Sequence, residues 1–210
     1  FADDGFIRPV SLTNGDYFML NGARLFPDGG NGLDGTFYHT QNESFSTIIS
    51  HANNNYDGPI WWEIITKEGV KIEIGNNLNS KLNHEFGYNN NGFNWLYPNI
   101  LWMVNKITDP NGNYMTFQYD NKNNTEIILT KIIYSGNDEV SPGIIPDCEI
   151  NFYYSLSSFP NQINLAGKKA KNTVLLRKIE SKVSNEIYNT YSFEYTKENV
   201  WEFLVNVQKS

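Results

Sequence analysis

Alternating apolar and polar side chains predict that this chain is built from β-strands. The clearest example is the stretch from Val70 to Gly75, where three aliphatic residues alternate with Lys71 and Glu73. A two-residue period of this kind is typical of a strand with one buried face. By the same reasoning, and by their β-branched and aromatic content, we predict strands over residues 17–20, 23–26, 36–40, 44–51, 60–66, 70–75, 114–119, 127–134, 149–154, 174–183, 187–195 and 201–207.

Short turn sequences separate most of these strands. Asn21-Gly22 suits a two-residue hairpin turn, because Asn and Gly both tolerate positive φ. Further turns are predicted at 67–69, 109–113 and 182–186, and longer insertions at 136–147 and 157–171. No linker interrupts the pattern. The expected fold class is therefore all-β, a meandering antiparallel sheet of many strands and hairpins that forms a single β-rich region over residues 1–210.

Two stretches have a weaker pattern. Residues 76–94 are rich in Asn, and Leu78, Leu82 and Phe86 are spaced by four, which would also fit a short helical turn. The aromatic run from Trp95 to Ile107, interrupted by Pro98, indicates burial whatever its backbone conformation.

Composition supports the β prediction and excludes several classes of protein. The 210 residues are 40% hydrophobic, 15% aromatic and only 19% charged, and Asn is the commonest polar residue. One cysteine rules out an internal disulfide. A net charge of −7 argues against nucleic acid as a partner. No apolar run approaches the roughly 18 residues of a membrane helix, so no membrane insertion by this segment is expected.

The chain begins at Phe1, without an initiator Met and without a basic segment leading to an apolar region. No signal peptide is visible, and we expect the chain to be a fragment of a longer protein.

One segment resembles a known repeat. Residues 106–120 read KITDPNGNYMTFQYD and are followed at 129–134 by LTKIIY. The form D-x-x-G-N, then x-x-x-F-x-Y-D and a later strand, is similar to the YD repeat of Rhs and toxin-complex proteins. We place one YD-type unit at about residues 104–134.

Other segments resemble a larger family in the same order along the chain. The Salmonella plasmid virulence protein B family includes the N-terminal part of the B component of insecticidal toxin complexes. The resemblance extends over roughly residues 15–196, and the segments that carry it are 16–25, 43–49, 61–76, 104–109, 176–180 and 191–195.

The resemblance implies a wall segment of a Rhs or toxin-complex β-shell, or cocoon. In that family such strands enclose a toxic C-terminal polypeptide and dock on a translocation pore component. The expected function is therefore non-catalytic encapsulation. The expected partners are the rest of the same chain, the enclosed toxin polypeptide and the pore component. The parent protein would be secreted or extracellular, after assembly in the bacterial cytoplasm.

Candidate catalytic groups are few. Cys148 could act with His39, His51 or His84, but Asp147 and Glu149 flank it and disfavour the thiolate that a nucleophile needs. A structural cysteine is the favoured interpretation. The three histidines form no short zinc-binding motif such as H-x-x-x-H.

Acidic residues suggest further sites without establishing one. Asp109 to Asp120 mimics a calcium loop at positions one, three, five and twelve, but position six is Tyr114 where glycine is required. Carboxylates distant in sequence could pair for glycoside hydrolysis, although most lie beside Lys or in turns, as on a solvated strand face. No Glu-x-Glu pair of an ADP-ribosyltransferase occurs. We assign no catalytic, cofactor-binding or metal-binding residue and expect no enzyme.

The tryptophans allow a second function. Trp61, Trp62, Trp95, Trp102 and Trp201 could line a sugar-binding groove of a surface adhesin or carbohydrate-binding β-domain, or they could pack between layers. Consecutive strand residues point to opposite faces, so Trp61 and Trp62 cannot share one. Packing is favoured, because large aromatic side chains dominate core burial.

Overall fold

The computed structural model describes residues 10, 12, 15–52, 58–84, 98–165 and 167–210. Strands dominate this part of the chain, together with one short 3₁₀ turn at Leu78–Ser80. The strands are β1 (Met19–Leu20), β2 (Ala23–Pro27), β3 (Thr36–Thr40), β4 (Thr47–His51), β5 (Trp61–Ile65), β6 (Lys71–Ile74), β7 (Lys81–Asn83), β8 (Asn99–Trp102), β9 (Val104–Thr108), β10 (Asn113–Lys122), β11 (Glu126–Asn137), β12 (Cys148–Leu165), β13 (Lys168–Val183), β14 (Glu186–Glu198) and β15 (Trp201–Lys209).

Thirteen of these strands form one sheet in sequence order, interrupted only between β6 and β9. The excursion there is the small hairpin β7–β8, a separate two-stranded sheet. All pairings are antiparallel. The predicted all-β class and meandering antiparallel sheet are therefore confirmed. Within the described residues, no helix is long and apolar enough to cross a membrane.

Two hairpin turns follow directly from their sequences. Asn21 and Gly22 have φ of 49° and 84°, and Ser184 and Asn185 have φ of 49° and 71°. Both pairs lie between adjacent antiparallel strands, where two positive φ values match the right-handed twist of the sheet. The predicted turns at 21–22 and 182–186 are confirmed.

The predicted insertion at 157–171 is wrong. Strands β12 and β13 continue through it and pair from Asn161↔Asn172 to Leu165↔Lys168. Pro160 concealed this continuity, because proline removes a donor from a strand ladder. It is tolerated because the register shifts between Leu156 and Asn161, so no ladder bond is required of it.

The described part of the weakly patterned stretch, residues 76–84, forms a short helical turn followed by a strand. Asn77 caps the turn at Leu78–Ser80, where its side-chain oxygen accepts a bond from the Ser80 N–H at 3.0 Å. Strand β7 follows at once. Phe86 and Trp95 lie outside the described residues, and the later part of the aromatic run forms β8 and β9.

Asparagine side chains attach the small hairpin to the main sheet. The Asn124 amide accepts from the Asn83 N–H at 2.9 Å and donates to the Asn83 carbonyl at 2.8 Å. Asn121 donates to the Lys81 carbonyl at 2.9 Å. These side chains satisfy backbone groups at the edge of β7 as a neighbouring strand would.

Candidate functional site: the two faces of the sheet

One face of the sheet carries a continuous row of apolar side chains. Strand register places each member directly opposite the next, from β3 to β13, and opposed residues in a sheet share a face. The apolar row consists of Tyr38, Ile48, Ile64, Ile72, Ile107, Met115, Tyr134, Cys148 and Val183. We call the side of the sheet that bears it the apolar face.

The apolar face is covered at one end and open at the other. Tyr38, Ile48 and Ile64 are 3%, 1% and 6% exposed, whereas Met115 is 38% and Val183 44% exposed. Farther along, Tyr191, Leu204 and Val207 on β14 and β15 lie on the same face and are exposed. The C-terminal half of the sheet therefore presents uncovered apolar surface.

The covered end is the hydrophobic core. Phe18, which precedes β1, packs edge-to-face on Trp62 at 4.9 Å, on Trp102 at 5.9 Å and on Tyr38 at 6.2 Å between ring centroids. Leu25, Ile48, Ile64 and Ile74 complete the buried cluster. A cavity of about 350 Å³ remains beside these side chains, between the β1–β2 hairpin and Trp102.

The opposite face carries charge. The row Glu63, Glu73, Lys106, Thr116, Ile133, Glu149 and Lys182 follows from the same registers. Ion pairs cross it, from Lys71 to Glu63, from Lys106 to Asp138 and from Lys131 to Glu149, each at 2.7 Å. We call this side of the sheet the charged face.

A cross-strand network on the charged face lowers the pKa values of two carboxyl groups. The Lys131 ammonium donates to Glu149 and holds the pKa of that carboxyl below its usual range, with help from the Asn151 amide. Bonds from Lys178 and from the Tyr153 hydroxyl, both at 2.7 Å, lower the pKa of Glu180. Both carboxylates are therefore held in the ionised form near neutral pH.

The sequence alone did not reveal this network. Lys178, Glu180 and Lys182 are spaced by two on β13, which indicates that the three share a face. Their partners on β11 and β12 are distant in sequence and depend on strand register.

The tryptophans divide between the two faces as the alternation predicted. Trp62 is 5% exposed in the core, and Trp102 packs against that core. Trp61 stacks on His51 with centroids 3.8 Å apart and planes 8° from parallel. Trp201 is 62% exposed on β15, so the packing interpretation is wrong for this residue. Because Trp62 is buried and one ring face of Trp61 is covered, the pair cannot form a sugar-binding platform.

The structure separates the candidate nucleophile from two candidate bases. Cys148 lies on β12, whereas His39 and His51 lie on β3 and β4, and five strands separate β4 from β12. At about 4.8 Å per strand, Cys148 and His51 are roughly 29 Å apart. The Cys148 thiol donates to Asp147 at 3.4 Å, while His39 pairs with Asp28 at 3.1 Å. His84 is buried at the end of β7.

The segment that mimics a calcium loop is a side-chain-stabilised turn. Asp109 accepts from the N–H groups of Asn111 and Asn113 at 2.8 and 2.9 Å, and from the Asn113 amide at 2.8 Å. These bonds lower the pKa of Asp109, the Asn113 side chain contributing most. Strand β10 begins at Asn113. Within the described residues, no group of three or more His, Cys, Asp or Glu could hold a metal ion.

Comparison with known families identifies similarity over half of the chain. The family model described as Salmonella virulence plasmid 65kDa B protein matches residues 33–142, just over half of the sequence. No curated protein is significantly similar in sequence to the chain. The match supports the resemblance found in the sequence, whereas the YD-repeat features receive no separate support.

Solved structures share the fold. The N-terminal domain of effector protein SpvB from Salmonella typhimurium strain LT2 superposes with a TM-score of 0.67 at 14% identity, over 90% of this chain and 79% of that one. TcdB2-TccC3 gives 0.64 at 13% identity, over 90% and 12% of the two chains. The Photorhabdus luminescens Tc holotoxin pore gives 0.64 at 12% identity, over 96% and 11%. The chain therefore spans most of the SpvB domain and only a small part of the Tc chains.

Proposed function

Because the chain belongs to the Salmonella virulence plasmid 65kDa B protein family, we propose that it is a non-catalytic wall segment of a β-shell that encloses a toxin polypeptide. The chain is a toxin-related β-domain whose fold recurs in SpvB and in Tc toxin components. That the chain helps to enclose a polypeptide is a more specific proposal than this similarity in fold, and it rests on the shape and chemistry of the sheet.

The observation that carries the proposal is the difference between the two faces. Antiparallel sheets can present one face to a core and the other to water. Here the charged face has cross-strand ion pairs suited to water, whereas the apolar face is open from Met115 to Val207. We assign the open apolar face to the interior of the shell, against the enclosed polypeptide.

Apolar lining has a physical advantage for this function. An unfolded cargo exposes apolar side chains, and each contact with the wall removes apolar area from water at about 25 cal/mol per Å². A featureless apolar surface makes such contacts without requiring a particular cargo sequence. The wall would therefore restrain many different polypeptides.

The remaining elements of the proposal concern organisation and location. Residues 1–210 act as one β-rich unit of a longer secreted bacterial toxin, with a YD-type unit at about 104–134. The partners are the rest of the same chain, the enclosed polypeptide and a toxin-complex pore component.

Site-specific photocrosslinking in the full-length parent protein tests which face meets the cargo. A photoreactive phenylalanine derivative would replace Met115 or Val183 on the apolar face, and Thr116 or Lys182 as matched neighbours on the charged face. We expect crosslinks to the C-terminal polypeptide from the first pair only. Equal yields from both pairs would contradict the assignment of the faces.

Imaging of the same parent protein tests enclosure itself. We expect a hollow particle in which residues 15–210 form part of the wall. A compact particle without an internal cavity would refute encapsulation.

A further inference from the structure

The cavity beside the hydrophobic core is large enough to hold a small molecule. Its volume is about 350 Å³, and Leu25, Ile64 and Ile74 are among the side chains that line it. An apolar cavity of about 150 Å³ stays dry and takes up benzene, and small-molecule sites in proteins occupy about 300–1,000 Å³. The cavity therefore has room for a ligand larger than benzene.

Three aromatic rings make the wall of the cavity suitable for an aromatic ligand. Phe18, Trp62 and Trp102 all line it, and each ring meets the other two edge to face. The ring centroids lie 4.9 Å apart for Phe18 and Trp62 and 5.9 Å apart for both pairs that include Trp102. Rings that point in different directions offer a flat ligand both faces and edges, and aromatic pairs favour edge-to-face and offset contacts. A flat aromatic ring therefore gains contacts here that an aliphatic chain does not.

The lining also favours an uncharged ligand. Within the described residues no charged side chain lines the cavity, and the lining side chains are apolar or aromatic apart from Asn21. An ion would lose its hydration on entering such surroundings without gaining a partner of opposite charge.

One hydrogen-bond donor at the cavity has no acceptor. The Trp102 Nε1–H group is buried and makes no hydrogen bond within the described residues. A buried indole N–H usually has a partner, and a buried donor without one costs free energy because it has lost its bond to water. Because Trp102 lines the cavity, a ligand with an acceptor atom can supply the missing partner.

The cavity is accessible beside the β1–β2 hairpin. Met19 and Leu101 line it and are 66% and 36% exposed, so they lie where the cavity meets solvent. Met19 belongs to β1, which pairs with β2 through only two residue pairs. The methionine side chain is flexible and polarisable and adapts to its contacts. A ligand can therefore enter without separation of the long strands.

We propose that this cavity binds a small, uncharged, bicyclic aromatic molecule whose acceptor atom receives the hydrogen bond from Trp102 Nε1–H. The rings of the ligand fill the apolar space, and the acceptor satisfies the buried donor. This binding site is independent of enclosure by the sheet, because it requires only the core around Trp62 and Trp102.

Quinoline and naphthalene test both parts of the proposal. They share one fused-ring shape, and only quinoline carries an acceptor, its ring nitrogen. Equilibrium dialysis against the full chain measures the binding of each in mildly alkaline buffer, where quinoline is neutral. We expect both to bind, and we expect the ratio of the quinoline to the naphthalene association constant to fall at least about fivefold in Trp102→Phe. The ratio corrects for the larger cavity in this variant, because the added volume affects both ligands.

Trp61→Phe is the matched control for the donor. Trp61 precedes Trp62 in β5 and lies on the opposite face of the sheet, away from the cavity. The same substitution there should leave the ratio of the two association constants unchanged.

Variants that fill the cavity test its location. Val104 on β9 lines the cavity, and Val104→Phe should weaken the binding of both probes at least about tenfold. Val183 lies on the apolar face of β13, with three strands between it and β9, so Val183→Phe should change binding less than about twofold. Leu20→Phe fills the same cavity from the hairpin if circular dichroism shows that Val104→Phe does not fold.

Failure of both probes to bind the original chain would overturn the proposal. Undiminished binding in a folded filling variant would do the same, because the probes would then occupy another place. An unchanged ratio in Trp102→Phe would refute Trp102 as the donor to the ligand.

Discussion

Replacing Trp62 by Ala should destabilise the protein far more than the same change at Trp61. The two residues are adjacent in β5 but lie on opposite faces, so each serves as the control for the other. Trp62 is 5% exposed and makes edge-to-face contacts with Phe18 at 4.9 Å, Tyr38 at 5.1 Å and Trp102 at 5.9 Å.

The magnitude follows from burial. Truncation of a buried Trp to Ala costs about 3–5 kcal/mol, because apolar contact is lost and a cavity remains. Part of this loss is the three ring contacts, each contributing about 0.5–1.5 kcal/mol. Trp61 has one stacked partner, His51, and the loss there should be about 1 kcal/mol. Domains of this kind unfold with about 5–15 kcal/mol, so Trp62→Ala removes a large share of the total.

Urea unfolding followed by far-ultraviolet circular dichroism measures both variants without depending on tryptophan fluorescence. We expect the midpoint of Trp62→Ala to fall well below that of Trp61→Ala, with similar slopes. Equal losses of unfolding free energy in the two variants would show that the apolar face near β5 is not the core.

Three further predictions concern single contacts and pH. Gly75→Ala should cost about 2–3 kcal/mol in urea unfolding, because φ is +78° and the new Cβ would lie 2.3 Å from Trp102 Cδ1. Gly22→Ala is the control: its φ is +84° but no atom lies within 4 Å of the new Cβ, so it should cost about 1 kcal/mol. Equal costs in the two variants would refute the steric contribution. Glu126→Ala should lower stability by about 1–3 kcal/mol in thermal unfolding, because buried Glu126 accepts from the N–H and the hydroxyl of Thr173 at 2.6 and 2.5 Å, and Glu126→Gln should lose less. The pKa of Glu149 and of Glu180 lies below that of an ordinary Glu side chain, so the unfolded state binds more protons in acid. The stability that these two carboxylates contribute should be fully present above the ordinary pKa of Glu, about 4.3, and should be lost as the pH falls through their lowered pKa values. Lys131→Met should make this loss shallower. An unchanged pH profile in Lys131→Met would mean that the Lys131 pair does not stabilise the ionised form of Glu149.

The sequence alone was sufficient for the local structure of most of the sheet. Alternation from Val70 to Gly75 predicted a strand with one apolar side, and β6 has Ile72 and Ile74 on the apolar face. The turn at Asn21-Gly22 and the opposite orientations of Trp61 and Trp62 followed in the same way. These features depend on residues near each other in the chain, whose spacing and φ preferences are visible in the sequence.

Only the tertiary structure decided which side of each strand is covered. Phe18 lies over Tyr38 and Trp62, whereas Trp201, an equally large side chain, is exposed on β15. Likewise, the pairing of Lys131 with Glu149 depends on the register between β11 and β12. The two-residue period of a strand specifies which side chains share a face, but the segment that packs against that face comes from elsewhere in the chain. Which face of the sheet is covered, how each pair of strands is aligned and which strands lie at the sheet edges are therefore properties of the folded sheet.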